Sequence, residues 1–303
     1  MIKGEDFVPL PGPDQAPFVT RFAPSPTGLL HLGHAYSALF ASEVARACGG
    51  RFRLRVEDID HSRCREPFEQ AIYDDLMWLG LRWEAPAWKQ SLRLDAYRQA
   101  RQKLDLEGLI YPCFCTRTQI RAEVAHSASA PHGPAGEVIY PGICRGLDPD
   151  QARRRIERGE PHAWRLDVAA AMQRTGPLNW TDIRAGEQVA KPDLFGDIVL
   201  ARKDIPTSYH LAVTVDDAAQ GVTLVTRGED LFLATHVQRL LQALLDLPTP
   251  IYYHHNLIAA ADGQRLAKRN RSVSIRHFRE RGETPESLWR KLGLRPQDVV
   301  EMA

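Results

Sequence analysis

Phe18-Val19-Thr20-Arg21-Phe22-Ala23-Pro24-Ser25-Pro26-Thr27-Gly28-Leu29-Leu30-His31-Leu32-Gly33-His34 is the stretch that decides the reading of this 303-residue chain. Phe18 to Ala23 reads as a short strand, and Pro24–Gly28 carries the prolines and glycine of a tight turn. A helical stretch follows from about Leu32 to Cys48, closed by Gly49-Gly50 as a C-terminal cap. Arg51–Val56 then alternates basic and apolar residues as a second strand does. The stretch therefore predicts a βαβ unit whose first loop delivers His31, Gly33 and His34 to a helix N-terminus. Unpaired amides and the positive end of the helix dipole favour phosphate there, and Gly33 leaves room for a nucleotide near the backbone. Two histidines three apart share one helix face; in isolation such a pair is more often structural than functional.

Working outward, Pro67–Leu79 and Leu92–Leu106 show helical spacing, and the alternation of strand and helix predicts an α/β fold with a parallel sheet. Strand and helix signals weaken between Tyr111 and about Pro192, where Ala, Gly, Pro, Ser and Arg accumulate. We read 111–192 as an inserted subdomain. The nucleotide-fold pattern is expected to resume near Ile198 with an apolar strand, then a strand over Gly221–Thr226 and a helix over Asp230–Leu245, both halves sharing one sheet. The division expected is a flexible arm at 1–17, catalytic halves at 18–110 and 193–260 around the insertion, and a basic helical region at 261–303.

Composition narrows the class. Lys and Arg total 39 against 38 Asp and Glu, with 44% hydrophobic and 25% charged residues, ordinary values for a globular chain. Global charge selects no partner, but Gly263–Arg295 holds ten Lys/Arg against Glu280, Glu283 and Glu286, which is either a solvated helical face or a phosphate-binding surface. No apolar run reaches the ~18 residues of a membrane span, since Ala35–Ala47 is broken by Ser37, Ser42, Glu43 and Arg46. The first 17 residues lack the apolar core of a secretory signal. Five cysteines, an odd number with three crowded into Cys113–Cys144, do not look like a secreted disulfide framework. A cytoplasmic protein with reduced thiols or a metal site is the expectation. Cys113-Phe114-Cys115 and Tyr140 with Cys144 form the candidate cluster, because three thiolates and one N or O donor satisfy tetrahedral Zn²⁺; Cys48 and Cys64 are expected to be ordinary thiols.

Arg21 to Gly28, reading RFAPSPTG, followed by the His31-Leu32-Gly33-His34 variant of the HIGH motif, resembles the class I aminoacyl-tRNA synthetases, specifically the glutamyl branch. Leu54-Arg55-Val56-Glu57-Asp58-Ile59-Asp60, Pro206-Thr207-Ser208-Tyr209-His210 with Asp216-Asp217, and Arg227-Gly228-Glu229-Asp230 resemble three further motifs of that branch, so the likeness spans roughly Phe18–Arg276. It implies a Rossmann-like class I catalytic domain with an inserted zinc-binding subdomain and a short basic helical C-terminal region. It also implies ATP, with Mg²⁺, and L-glutamate as ligands. Glutamate presents two carboxylates and an amine, so its pocket needs guanidinium forks and an acid; Arg21, Arg227, Glu57 and Tyr209 supply these, with Phe22, Ala23, Pro24 and Ser25 as the motif loop. His31, Gly33 and His34 are the expected ATP contacts. Arg265-Leu266-Ala267-Lys268-Arg269 resembles a degraded KMSKS loop in which Lys268 is the retained lysine, so His31, His34 and Lys268 are the expected catalytic set.

The insertion resembles that of the shortened glutamyl-queuosine tRNA(Asp) synthetases, whose zinc ligands follow a Cys-x-Cys…Tyr-x-x-x-Cys pattern. That likeness implies Cys113, Cys115, Tyr140 and Cys144 as ligands, although His126 and His132, within a long gap, remain alternatives to Tyr140. Only residues 270–303 follow Arg269, from which we expect no helical anticodon reader of the full-length kind and a monomer. The resemblance implies transfer of activated glutamate to queuosine in the tRNA(Asp) anticodon stem-loop. Val213 agrees with this branch, because glutamyl-tRNA synthetases usually present Asn there. The alternatives are a truncated glutamyl-tRNA synthetase charging a 3′ end and an inactive tRNA-binding paralogue.

Overall fold

The computed structural model describes residues 17–126, 139–257 and 273–292. The N-terminal arm, Lys268 with its neighbours and His132 lie outside the described residues, as does the side chain of His126. The opening unit forms as its sequence dictates: β1 (Val19–Phe22) leads through the Pro-rich turn to α1 (Leu32–Ala47), and β2 (Arg51–Val56) returns parallel to β1. Gly49 at the end of α1 has φ +61°, a left-handed position suited to glycine. Then come α2 (Glu66–Trp78), β3 (Glu84–Lys89) and α3 (Leu94–Leu106). β3 pairs parallel with β2. Its Pro86 hides it from a pattern reading, but proline is tolerated on an edge strand.

The chain continues through β4 (Ile110–Cys113), α4 (Arg117–His126), α5 (Pro149–Glu157), β5 (Ala163–Leu166), α6 (Val168–Thr175), β6 (Asn179–Asp182), β7 (Gly186–Val189) and β8 (Val199–Ala201). After these follow α7 (Tyr209–Ala219), β9 (Leu224–Gly228), α8 (Ala234–Leu244), β10 (Ile251–His255), α9 (Ile275–Glu280) and α10 (Pro285–Lys291). β9, β10 and β6 run parallel, with β7 antiparallel at the edge. The two parallel ladders meet where Thr223 N donates to Val19 O at 3.0 Å and Val19 N donates to Thr223 Oγ1 at 2.9 Å. Side by side the strands read β3-β2-β1, β9-β10-β6-β7. The expected shared sheet is thus two ladders abutting at β1 and β9, and the chain order reverses there, which is where open α/β sheets bind ligands.

The middle of the chain is distributed differently from the expectation. β6 and β7, inside 111–192, extend the catalytic ladder through β10, whereas β8, expected to resume that ladder near Ile198, pairs with β5 in an antiparallel β4-β5-β8 sheet. An apolar run specifies a buried strand without naming its partner, so Ile198–Ala201 reads alike in either sheet. This small sheet is packed firmly onto the second half: Ile110, Leu166 and Leu200 share one core with Leu211, Leu240 and Leu241 of α7 and α8. A second core wraps α1 and draws in Leu224 and Tyr253 together with Ile275, Leu288 and Leu292 from the C-terminal segment.

Candidate active site

Two cavities adjoin the C-terminal end of β2; the smaller also reaches the ends of β1 and β9, and the larger reaches β5 and β8. The smaller, about 380 Å³, is lined by Arg21, Phe22, Ala23, His31, Gly33, His34, Glu57, Tyr209 and Arg227. The larger, about 840 Å³, shares Glu57 and Tyr209 with it as a common wall and adds Ser25, five cations (Arg63, Arg117, Arg165, Arg202 and Lys203) and the acids Asp60 and Asp204, which pair with Arg63 and Arg202. Four separate sequence segments therefore converge on one place. Pro24 lines neither cavity in the described residues; its carbonyl accepts Glu57 N at 2.9 Å and ties the loop to the end of β2.

The histidine pair is held by its own helix start. Gly33 N donates to His31 Nδ1 at 3.1 Å and His31 N donates to His34 Nδ1 at 3.2 Å, a reciprocal cap with ring centroids 3.8 Å apart. With Nδ1 accepting on each ring, the neutral imidazole carries its proton on Nε2. A Cβ on Gly33 would come within 3.0 Å of the His31 ring. The glycine thus makes room for the capping imidazole itself, a closer reason than access for a nucleotide.

Beneath the pocket runs a buried charge network. Asp217 of α7 accepts Arg21 Nε at 3.0 Å and Arg55 Nη1 at 2.7 Å, and Arg55 also reaches Gln220 at 2.8 Å and Glu57 at 3.3 Å. Arg21 donates through Nη1 to Thr226 O at 3.1 Å. Burial raises the Glu57 carboxyl above its ordinary value, with Arg55 and Arg21 pulling the other way. Asp217 is held below the carboxylate range, its burial being outweighed by the two guanidiniums. Burial also raises the Tyr209 phenol. Val213 is buried on α7, one turn beyond Tyr209, and lines neither cavity.

Sequence reasoning missed His255 and Ser37, which also line the smaller cavity. Ser37 Oγ lies 3.0 Å from His255 Nε2, linking α1 to β10. The doublet His254-His255 ending the apolar Ile251-Tyr252-Tyr253 run was the available signal.

The cysteine cluster closes as its spacing suggested. The Sγ atoms of Cys113, Cys115 and Cys144 lie within 4.8 Å of one another, Cys115 and Cys144 being 3.4 Å apart. Tyr140 Oη is 3.8 Å from Cys115 Sγ and accepts Cys144 N at 2.7 Å. Burial, together with the neighbouring Cys144 and Cys113 sulfurs, pushes the Cys115 thiol up to about 12. Three converging sulfurs with an oxygen beside them fit a soft divalent metal, which would hold the thiolates ionised. Cys115 also lines the larger cavity, so this cluster forms part of its wall.

The family pattern described as tRNA synthetases class I (E and Q), catalytic domain, matches residues 17–302. The chain belongs to this family. The Glutamyl-Q tRNA(Asp) synthetase of Rhodobacter capsulatus is 47% identical over 285 residues, covering 91% of this chain and all of the relative. That of Symbiobacterium thermophilum is 43% identical over 277 residues, covering 88% of this chain and 83% of the relative. The Glutamate-tRNA ligase of Aquifex aeolicus is 39% identical over 277 residues, but the match covers 56% of it. A crystal structure of a glutamate tRNA ligase from Elizabethkingia meningosepticum, in complex with its amino acid, aligns with a TM-score of 0.78 at 24% identity over 94% of this chain. Glutamate-tRNA synthetase from Elizabethkingia anophelis gives 0.77 at 26% over 91%. This chain spans 64% and 61% of those two solved chains. The class I synthetase fold, and ATP use with it, follow from this membership. No helix among the described residues is long and apolar enough to cross a membrane.

Proposed function

We propose that this chain activates L-glutamate with ATP and transfers it to queuosine in tRNA(Asp). The observation that carries this reading is the near end-to-end match to a Glutamyl-Q tRNA(Asp) synthetase, against matches covering little more than half of the glutamate-tRNA ligases. The site chemistry agrees. Arg21 and Arg227 receive carboxylate charge, Glu57 pairs with the ammonium, and Tyr209 closes the wall toward the larger cavity. His31 and His34 donate from Nε2 to ATP phosphates at the start of α1, with Lys268 as the added cation and Mg²⁺ accompanying the nucleotide.

In the first step a glutamate α-carboxylate oxygen attacks the α-phosphorus, the bond to the β-phosphate bridging oxygen breaks, and pyrophosphate leaves. The protein's part is positioning and stabilising the growing phosphate charge. In the second, a hydroxyl oxygen of the queuosine ring attacks the acyl carbon, the bond to AMP breaks, and the hydroxyl proton is released. The larger cavity adjoins the glutamate wall and lies within the ~300–1,000 Å³ of small-molecule sites. Its five cations against three carboxylates (Glu57, Asp60 and Asp204) leave an excess of positive charge that suits the anticodon-loop phosphates on either side of the modified nucleoside. Cys113, Cys115 and Cys144 would hold one Zn²⁺, with Tyr140 as the fourth ligand. Bound there, the ion would order the segment that brings Cys115 to that cavity.

The test is to supply labelled glutamate and ATP with tRNA(Asp) carrying or lacking queuosine. Label is expected only on the queuosine-bearing tRNA, and equal labelling of both would overturn the reading.

A further inference from the structure

Three neighbouring strands place three buried side chains in a row beside the smaller cavity. Asp182 ends β6, His254 lies on β10 and Arg227 on β9, and His254 and Arg227 are direct register partners. All three are almost fully buried, at 1%, 3% and 6% exposure. Asp182 Oδ2 lies 2.7 Å from His254 Nδ1 and also accepts the His254 amide at 3.1 Å, while its Oδ1 accepts the amides of Arg184 and Ala185. A carboxylate held by that many donors can only accept, so the imidazole proton sits on Nδ1. That leaves Nε2 as an acceptor, and Arg227 Nε donates to it at 3.0 Å. Arg227 Nη2 donates to Thr235 Oγ1 at 2.6 Å. Two of its three nitrogens are thus committed to the protein. The third, Nη1, is buried without a hydrogen-bond partner among the described residues, in a side chain that lines the cavity.

We propose that Asp182 and His254 are positioning residues: they fix the Arg227 guanidinium so that Nη1 is presented to a carboxylate of the bound amino acid. This rests on the reading of the smaller cavity as the glutamate site. A guanidinium on a flexible stem loses rotamer freedom when it captures a ligand; here the fork is anchored before the ligand arrives. The tautomer matters, because an imidazole carrying its proton on Nε2 would turn an N–H toward the Arg227 Nε–H. Burial lowers His254 to about 4, with Asp182 opposing that and Arg227 adding to it, so the neutral ring persists across the working range. Asp182 stays ionised beside it. The same logic governs an aspartate that fixes the tautomer of a catalytic histidine, where exchange to asparagine leaves the fold intact and disables the site.

The test uses glutamate-dependent ATP–pyrophosphate exchange together with ¹⁵N-histidine NMR on the full chain. His254→Phe is expected to raise the glutamate KM by ~10-fold or more, the scale of a hydrogen bond to a charged group, with the ATP KM changed less than twofold. His254→Gln, whose amide oxygen can take the Arg227 Nε–H, is expected to recover most of that loss. The wild-type spectrum is expected to show an Nδ1-protonated ring that does not titrate between pH 6 and 8, and Asp182→Asn to shift it to the Nε2 form with a matching rise in glutamate KM. An unchanged glutamate KM in folded His254→Phe, equal losses for glutamate and ATP, or an Nε2-protonated ring in the wild type would each overturn the proposal. If His254→Phe does not fold, the wild-type tautomer and Asp182→Asn decide. Wild-type protein without glutamate-dependent exchange would overturn the reading of the site, and the NMR would then judge the pairing alone.

Discussion

Arg55 Nη1 lies 2.7 Å from Asp217 Oδ1, the same oxygen that takes Arg21 Nε at 3.0 Å. One carboxylate on α7 therefore bridges guanidiniums from β1 and β2, and the fully buried Arg55 is also paired with Glu57 at 3.3 Å and lies 3.9 Å from Asp216. Removing Asp217 would strand buried charge, which weighs more than losing the contact itself. Asp217→Ala is expected to lower stability by ~3–5 kcal/mol in urea unfolding and to weaken glutamate binding by releasing Arg21. A loss below ~1 kcal/mol, the ordinary value of an exposed ion pair, would show that the network is not acting as a buried unit.

The cysteine cluster supports a metal prediction. Purified protein is expected to carry about one zinc per chain, falling sharply in Cys115→Ser, with faster proteolysis of the segment around residues 115–144. Because Cys115 lines the larger cavity and not the smaller, transfer to tRNA is expected to suffer more than adenylate formation. Full transfer by metal-free protein would contradict this.

Asp75 on α2 is fully buried with both carboxylate oxygens lacking hydrogen-bond partners among the described residues. Arg279 Nη2 of α9 is 3.7 Å away, and Arg276, Asp74 and Glu280 act on it more weakly. Burial lifts its carboxyl from 3.8 to about 6, only partly opposed by Arg279. A raised carboxyl favours the folded state while protonated, so its contribution is present below the unfolded value and is lost as pH rises through about 6. The stability of Asp75→Asn relative to wild type is therefore expected to improve between pH 4 and 7. A pH-independent difference in urea midpoints would refute the assignment.

Arg279 thus faces an internal partner within the basic run. Arg281, Arg290 and Lys291 are the exposed cations of its described part. Arg281→Ala with Arg290→Ala is expected to weaken transfer and reduce its salt dependence, since each lost phosphate contact releases fewer counterions. Exchange of pyrophosphate, which involves small ligands, should be unaffected. An equal loss in both assays would point to damaged folding instead.

The opening βαβ unit was legible because period, turn residues and caps agreed from Phe18 to Val56. The converging site was legible because Arg21, Glu57, Tyr209 and Arg227 each sit in a recognisable motif. Strand partnership was not: β6 and β8 exchange the sheets expected of them, since apolar periodicity reports burial and not neighbours. The Asp182–His254 pair was equally hidden, because two residues 72 positions apart become adjacent only through the β6–β10 pairing. Gly33 was read as a nucleotide feature, yet its nearest constraint is the ring of His31, two residues before it.

The measurement that bears most directly on the central claim is where the glutamyl ester forms. Labelled glutamate, ATP and the protein would be incubated with an isolated anticodon stem-loop of tRNA(Asp) bearing queuosine, the same stem-loop with guanosine, and intact tRNA(Glu). The account predicts label on the queuosine stem-loop alone, retained when the 3′ terminus has been oxidised with periodate beforehand. Label on the 3′ adenosine of tRNA(Glu), abolished by that oxidation, with none on the stem-loop, would contradict it.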